Sequence, residues 1–278
     1  MDRPLPRRLL TFGCGGDTLA GSLDGAAGTT GVLFAVGGTQ TRVGSHRMFE
    51  NLAKALANNG YPTFRFDRRG VGDSEGEDRG WRDSGADIAA AAAAFRDHVP
   101  QITRIIGLGL CDGAGGLCLH GRAAGLDALV LINPWLVEAA ENDPAPAALR
   151  RHYRERLASL ATWKRLLTGS LSYRKAFKGL LKSQSREPDS LSKVLAEALA
   201  PSGLPAEWIL AEGDATAIAA AHELDRPHWR GLAERRHSVA TDSHTFARPG
   251  DAEALEAAVL RALARLQREQ TALPTRSG

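Results

Sequence analysis

Arg104-Ile105-Ile106-Gly107-Leu108-Gly109-Leu110-Cys111-Asp112-Gly113-Ala114-Gly115-Gly116 is the stretch around which the chain is organised. An apolar, partly β-branched run leads into glycines, a single cysteine stands at their centre, and small residues follow. Gly109-Leu110-Cys111-Asp112-Gly113 has the spacing of a G-x-S-x-G nucleophile elbow with sulfur in place of oxygen. A nucleophile on a sharp strand-to-helix turn needs neighbours without a Cβ, and the glycines supply them. The stretch predicts a buried strand, a strained turn bearing Cys111, and a helix behind it.

Similar apolar runs recur on both sides. Gly31-Val32-Leu33-Phe34-Ala35-Val36 reads as a strand buried on both faces, ending in Gly37-Gly38-Thr39-Gln40-Thr41-Arg42-Val43-Gly44. Ser45 offers an N-cap to a helix on which Phe49, Leu52, Ala53 and Leu56 recur at helical spacing until Gly60 stops it. Tyr61-Pro62-Thr63-Phe64-Arg65-Phe66-Asp67 is the next strand, and an alanine-rich helix follows over 84–98. Between them, Gly70-Val71-Gly72-Asp73-Ser74 is neither a Walker A nor a GxGxxG sequence and reads as a structural turn. Residues 1–24 supply one or two opening strands around Cys14-Gly15-Gly16-Asp17, and Asp127-Ala128-Leu129-Val130-Leu131-Ile132-Asn133-Pro134 is a further buried strand. Alternating strands and helices predict an α/β fold with a mostly parallel sheet flanked by helices.

From Trp135 the rhythm breaks. Helices are expected over 147–160, 163–167, 173–181 and 191–199, so 135–204 reads as a helical cap insertion in a core domain of residues 1–134 and 205–278. Strand rhythm resumes at Glu207-Trp208-Ile209-Leu210-Ala211, followed by a helix over 215–223 and an edge strand over 235–239. A terminal amphipathic helix carries Leu255, Val259, Leu263 and Leu266 on one stripe.

The 278 residues, 43% hydrophobic and 24% charged, suit one α/β domain with an insertion. No apolar stretch approaches the roughly 20 residues of a membrane span, and Met1-Asp2-Arg3-Pro4 opens no signal-peptide core. Cys14, Cys111 and Cys118 form neither a CxxC nor a zinc spacing, so a reduced cytoplasmic setting is expected. Twelve Lys/Arg against four Asp/Glu between Arg150 and Ala200 make a local +8, leaving −5 for the remainder of a chain whose net charge is +3. Such a segment suits an anionic substrate, partner or membrane surface, and equally a solvated helical face. No nucleic-acid partner is expected.

An elbow needs a base, and the base needs an orienter. Asp214, in Glu212-Gly213-Asp214-Ala215, follows a strand; His244, in Thr241-Asp242-Ser243-His244-Thr245-Phe246, precedes the last helix. Both positions fall at the carboxyl edge of an open α/β sheet, where sites form. Asp214 also suits a helix cap, and Glu212 or Asp225 are alternatives to it as the acid. A free thiol has a pKa near 8.5, so an imidazole that takes its proton, together with a helix N-terminus, is what turns Cys111 into a thiolate. The oxyanion of an attacked acyl group then needs donors: Asp112 N–H, and Thr39 or Gln40 N–H from the glycine-rich loop. His46 and Trp135 are candidates for substrate contact, and Cys14 and Cys118 for structural roles.

On these residues the chain resembles the α/β-hydrolase superfamily. The carriers are the elbow, the turn Asp67-Arg68-Arg69-Gly70-Val71-Gly72-Asp73-Ser74, and the late Asp214 and His244. More narrowly, Val36-Gly37-Gly38-Thr39-Gln40-Thr41-Arg42-Val43-Gly44-Ser45-His46-Arg47 and Gly109-Leu110-Cys111-Asp112-Gly113-Ala114 resemble hydrolase 1 of the exosortase A system. That resemblance implies an α/β-hydrolase fold and a role near bacterial exopolysaccharide production. The expected activity is hydrolysis of an ester or thioester of a small-molecule or carrier-linked acyl substrate. Cys111, His244 and Asp214 would form the triad, without metal or organic cofactor. An acyltransferase, or a binding protein on the same fold, are the alternatives.

Overall fold

The computed structural model describes residues 7–38, 40–137 and 190–271. A hairpin opens it because Gly15 and Gly16, at φ 61 and 99, turn β1 (Arg8–Cys14) back onto β2 (Asp17–Asp24). The following strands are β3 (Thr30–Ala35), β4 (Thr63–Phe66), β5 (Arg104–Leu110), β6 (Ala128–Ile132), β7 (Ala206–Ala211) and β8 (Arg236–Val239). They make one eight-stranded sheet in the order β1-β2-β4-β3-β5-β6-β7-β8. The pairings β1–β2 and β2–β4 are antiparallel and all others parallel. This is the mostly parallel sheet that the alternating pattern predicts.

Every residue of β3 to β7 is buried, which requires cover on both faces. Among the described residues that cover comes from α1 (Met48–Asn58), α2 (Gly85–His98), α3 (Asp112–His120), α4 (Leu191–Leu199), α5 (Ala215–Leu224) and α6 (Asp251–Thr271). α1 packs against α6, and α2 against α3. The α1 stripe buries Met48, Phe49, Leu52, Ala53 and Leu56. Phe34 and Phe49 meet edge-on at 5.9 Å, joining β3 to α1. Leu255, Val259, Leu263 and Leu266 of α6 are all buried, as their spacing predicts.

The chain passes from β3 to β4 on one side and then crosses back to β5 on the other side of β3. At such a reversal the loops beyond the carboxyl ends of β3 and β5 diverge and leave room for a site. Cys111 follows β5, and Gly37 and Gly38 follow β3.

Two local expectations resolve differently. Ser45 does not cap α1: it starts a short 3₁₀ turn, its N–H donates to Gln40 Oε1 at 3.0 Å, and the left-handed residues His46 (φ 52) and Arg47 (φ 60) precede the helix. A Cβ on Gly44 would lie 2.5 Å from the Phe49 ring, so the chain enters α1 too closely for the ordinary Ser cap geometry. The turn after β4 is a polar knot. Buried Asp67 pairs with Arg42 and accepts from Asp73 N–H at 3.2 Å, while Arg42 also reaches Asp73 at 2.8 Å.

The chain divides into a unit of residues 1–136 and 192–278 and another of residues 137–191. Within the first, α4 buries Leu195, Ala196 and Leu199, and Trp229 donates to Ser192 Oγ at 2.8 Å. The helices expected over 147–160, 163–167 and 173–181, with most of the basic segment, lie outside the described residues. Among the described residues no helix is long and apolar enough to cross a membrane.

Candidate active site

Cys111 joins β5 to α3 with φ 58 and ψ −124, a backbone state that a residue with a Cβ enters only under strain. Two hydrogen bonds hold it there: its N–H donates to Ile132 O at 3.0 Å, and its carbonyl accepts from Trp135 N–H at 3.1 Å. The flanking glycines are needed for space. A Cβ on Gly109 would stand 2.8 Å from Ala114 N, and one on Gly113 would stand 2.4 Å from Ala35 O and 2.9 Å from Gly37 N. These are backbone atoms that cannot swing aside. Gly113→Ala is expected to cost about 3 kcal/mol of folding stability, measurable by urea denaturation; an unchanged midpoint would mean that the elbow is not docked on β3 as described.

The loop after β3 lies against the elbow. Asp112 Oδ1 accepts from Gly38 N–H at 2.6 Å, and a Cβ on Gly37 would lie 2.2 Å from that oxygen. Asp112 N–H is in the first turn of α3, where no intrahelical acceptor exists for it. Gln40 is engaged elsewhere: its N–H donates to Gly37 O at 3.4 Å and its side chain accepts from Ser45. Thr39 lies outside the described residues.

Asp214 ends the loop after β7 and is 1% exposed. Its Oδ2 accepts from Ala217 N–H at 3.0 Å, capping α5, and stands 2.9 Å from His244 Nδ1. Capping and histidine pairing are therefore compatible uses of one carboxylate. Glu212 is exposed and Asp225 pairs with Arg236 at 2.8 Å, so neither takes that place. Gly213 lets the two loops meet, since a Cβ there would lie 2.8 Å from Asp242 Cβ. Burial pulls the His244 pKa down, but the hydrogen bond to Asp214 and its negative charge, with a further contribution from Cys111, outweigh it and push the pKa up to about 9. The structure thus brings Cys111, His244 and Asp214 together, with the imidazolium favoured at neutral pH.

Trp135 is half-buried and meets the elbow through its backbone N–H. His46 lines a cavity of about 120 Å³ with Met48, Leu52, Thr245 and Phe246, beside the loop that carries His244. Cys14 is buried against Asp87, its thiol donating at 3.3 Å. Cys118 is buried in α3, which pushes its pKa up to about 12. Both are buried and out of reach, whereas Cys111 is partly exposed. Asn133 is a residue that sequence reading passed over: it is fully buried after β6 and donates to the His244 carbonyl at 3.0 Å. A polar residue closing an otherwise apolar strand run is the one signal the sequence offers for it. Among the described residues no group of three or more His, Cys, Asp and Glu is placed to hold a metal ion.

Such a cluster can deprotonate a thiol, hold the resulting ion pair, and pass a proton to and from a group bound at sulfur. A family model described as serine aminopeptidase, S33, matches residues 31–228. Among solved structures, a Pyrococcus furiosus esterase is similar over 94% of this chain and 91% of its own, with TM-score 0.64 and 16% identity. An α/β-hydrolase from a Penicillium species is similar over 95% and 99%, with TM-score 0.62 and 18% identity. A thioesterase domain from the curacin biosynthetic pathway is similar over 92% and 100%, with TM-score 0.57 and 15% identity. No curated protein matches the chain in sequence.

Proposed function

We propose, from the premise that this chain belongs to the α/β-hydrolase family described as serine aminopeptidase, S33, that it cleaves an ester or thioester through a cysteine acyl-enzyme. The reading is carried by one observation: a cysteine held at φ 58 on the elbow, with a neighbouring histidine whose Nδ1 faces a buried aspartate at 2.9 Å. The family description names serine. A thiol at the elbow favours activated acyl groups, and the esterase and thioesterase among the structural relatives support that bond class.

In the proposed reaction the Cys111 thiolate attacks the acyl carbon, forming the C–S bond while the carbonyl oxygen takes the electron pair. Asp112 N–H stabilises that oxyanion, assisted by the positive end of α3. Gly38 and Gln40 N–H are committed elsewhere, and Thr39 N–H is assigned as the second donor on the sequence pattern of the loop. Collapse of the intermediate breaks the bond to the leaving group, which takes the proton from His244. Water then attacks the thioester, His244 accepts its proton, and the acid departs as the thiolate re-forms. Asp214 holds the imidazole by Nδ1 and stabilises its charge throughout.

His46 and Trp135 are assigned to substrate contact, and residues 135–204, with their Lys and Arg excess, to a substrate-selecting cap. Three unpaired thiols support a cytoplasmic setting. The segments resembling exosortase-associated hydrolase 1 support a role beside exopolysaccharide production. Mass spectrometry of the intact protein after exposure to a panel of activated esters and thioesters tests the reading. One acyl group on Cys111 is expected, and acylation elsewhere, or none, overturns it. Product analysis with and without an alcohol or amine acceptor separates hydrolysis from acyl transfer.

A further inference from the structure

Asn133 lies just past β6, fully buried and left-handed at φ 39, a state asparagine adopts more readily than most residues. The two ends of its side chain go to two different elements. Oδ1 accepts from Ala211 N–H at the end of β7 at 2.8 Å, and Nδ2 donates to the His244 carbonyl at 3.0 Å. Its own N–H donates to Ile209 O at 2.9 Å, which fixes the backbone from which the amide projects. Its neighbours hold the nucleophile, since Ile132 O and Trp135 N–H take the N–H and carbonyl of Cys111 at 3.0 and 3.1 Å. Residues 132–135 therefore grip the main chain of Cys111 with their own backbone, and the main chain of His244 with one side chain.

The loop carrying His244 has no helix or strand of its own over residues 240–250. Gly213 N–H to Thr241 O at 2.8 Å and Thr241 Oγ1 to Asp251 at 2.6 Å tie its start to β7 and α6. Asn133 supplies the tie toward the elbow. We propose that Asn133 is a positioning residue that sets where the His244 imidazole stands relative to the Cys111 sulfur. The proposal rests on the reading of these two residues as base and nucleophile. Removing the amide leaves the buried Ala211 N–H and the half-buried His244 carbonyl without these partners, and frees the histidine backbone to shift. A misplacement of about 1 Å at a reacting group costs on the order of 10² in rate.

Asn133→Gly keeps the left-handed backbone and removes both bonds. Asn133→Asp keeps an acceptor for Ala211 N–H but sets a carboxylate against the His244 carbonyl. Each folded variant is expected to lose about 10²-fold in kcat toward p-nitrophenyl acetate, with KM within about threefold of wild type. Each should also shift the pH profile of Cys111 alkylation by iodoacetamide, which a merely structural role leaves in place. Wild-type kcat and an unshifted profile in either folded variant overturn the proposal. Alkylation reads the thiol without any ester substrate. Hydrolysis surviving in Cys111→Ala would therefore remove the cysteine reading while the Asn133 profile still decides this one. If neither variant folds, the wild-type protein decides it by NMR. A scalar coupling from Asn133 Nδ2 across the hydrogen bond to the His244 carbonyl carbon is expected, and its absence overturns the proposal.

Discussion

Cys111→Ala is expected to lower kcat for an activated ester by at least about 10⁴-fold, with the thermal midpoint within about 3 °C of wild type. The two halves of that expectation have separate causes. Activity falls because the acyl-enzyme has no other nucleophile: Cys14 and Cys118 are buried, and His244 faces the elbow. Stability holds because alanine keeps the Cβ, so the strain at φ 58 and both backbone bonds of residue 111 are unchanged. Rate measurements and a melt on the same preparation check both. A folded variant with wild-type turnover removes Cys111 from the chemistry. Cys111→Ser is the gentler substitution, since its hydroxyl is a weaker acid than a thiol but still a nucleophile.

Asp214→Asn is expected to lower kcat by about 10⁴-fold and to move the alkaline limb of the rate profile to lower pH. The sign follows from charge. The Asp214 carboxylate favours the protonated imidazole and, with the Cys111 contribution, lifts His244 to about 9 against the opposing effect of burial. Imidazolium is the acid that protonates the leaving group, so in wild type that step fails only as the pH rises through the raised pKa that the Asp214 carboxylate gives His244. Without the carboxylate the histidine pKa drops, and the same loss occurs nearer neutrality. Asparagine is a good helix N-cap, so α5 keeps its start and the effect is not one of unfolding. Histidine titration by NMR in the two proteins is the measurement. An unchanged His244 titration would show that the 2.9 Å contact does not govern its charge.

What the sequence disclosed and what it withheld divide along a physical line. Buried strands announce themselves as apolar runs and surface helices as stripes, so β3, β5, β6, β7, α1 and α6 were legible, and from their alternation the parallel sheet. The elbow was legible because close backbone contact at Gly109 and Gly113 restricts those positions to glycine. Asp214 and His244 stood out as candidates because each falls where a strand gives way to a loop. By contrast, the amide of Asn133 reaches a carbonyl 111 residues away, and Asp112 reaches an amide 74 residues away. Neither bond leaves a trace in local periodicity. The start of α1 was misread for a related reason: Ser45 is a good cap by type, but the tight approach of Gly44 to Phe49 decides the geometry there.

The double use of Asp214 has an evolutionary consequence. One oxygen serves both the first turn of α5 and the imidazole, so folding alone is enough to keep a capping side chain, aspartate or a close substitute such as asparagine, at that position. A descendant that lost its chemistry would therefore retain a cap at position 214 for the sake of the helix. Position 111 is under no such protection. There the fold gains nothing from a side chain, and drift toward glycine would relieve the strain. Among descendants of this chain, loss of activity would be recorded first in the residue between Leu110 and Asp112, long before the acid partner gave any sign of it.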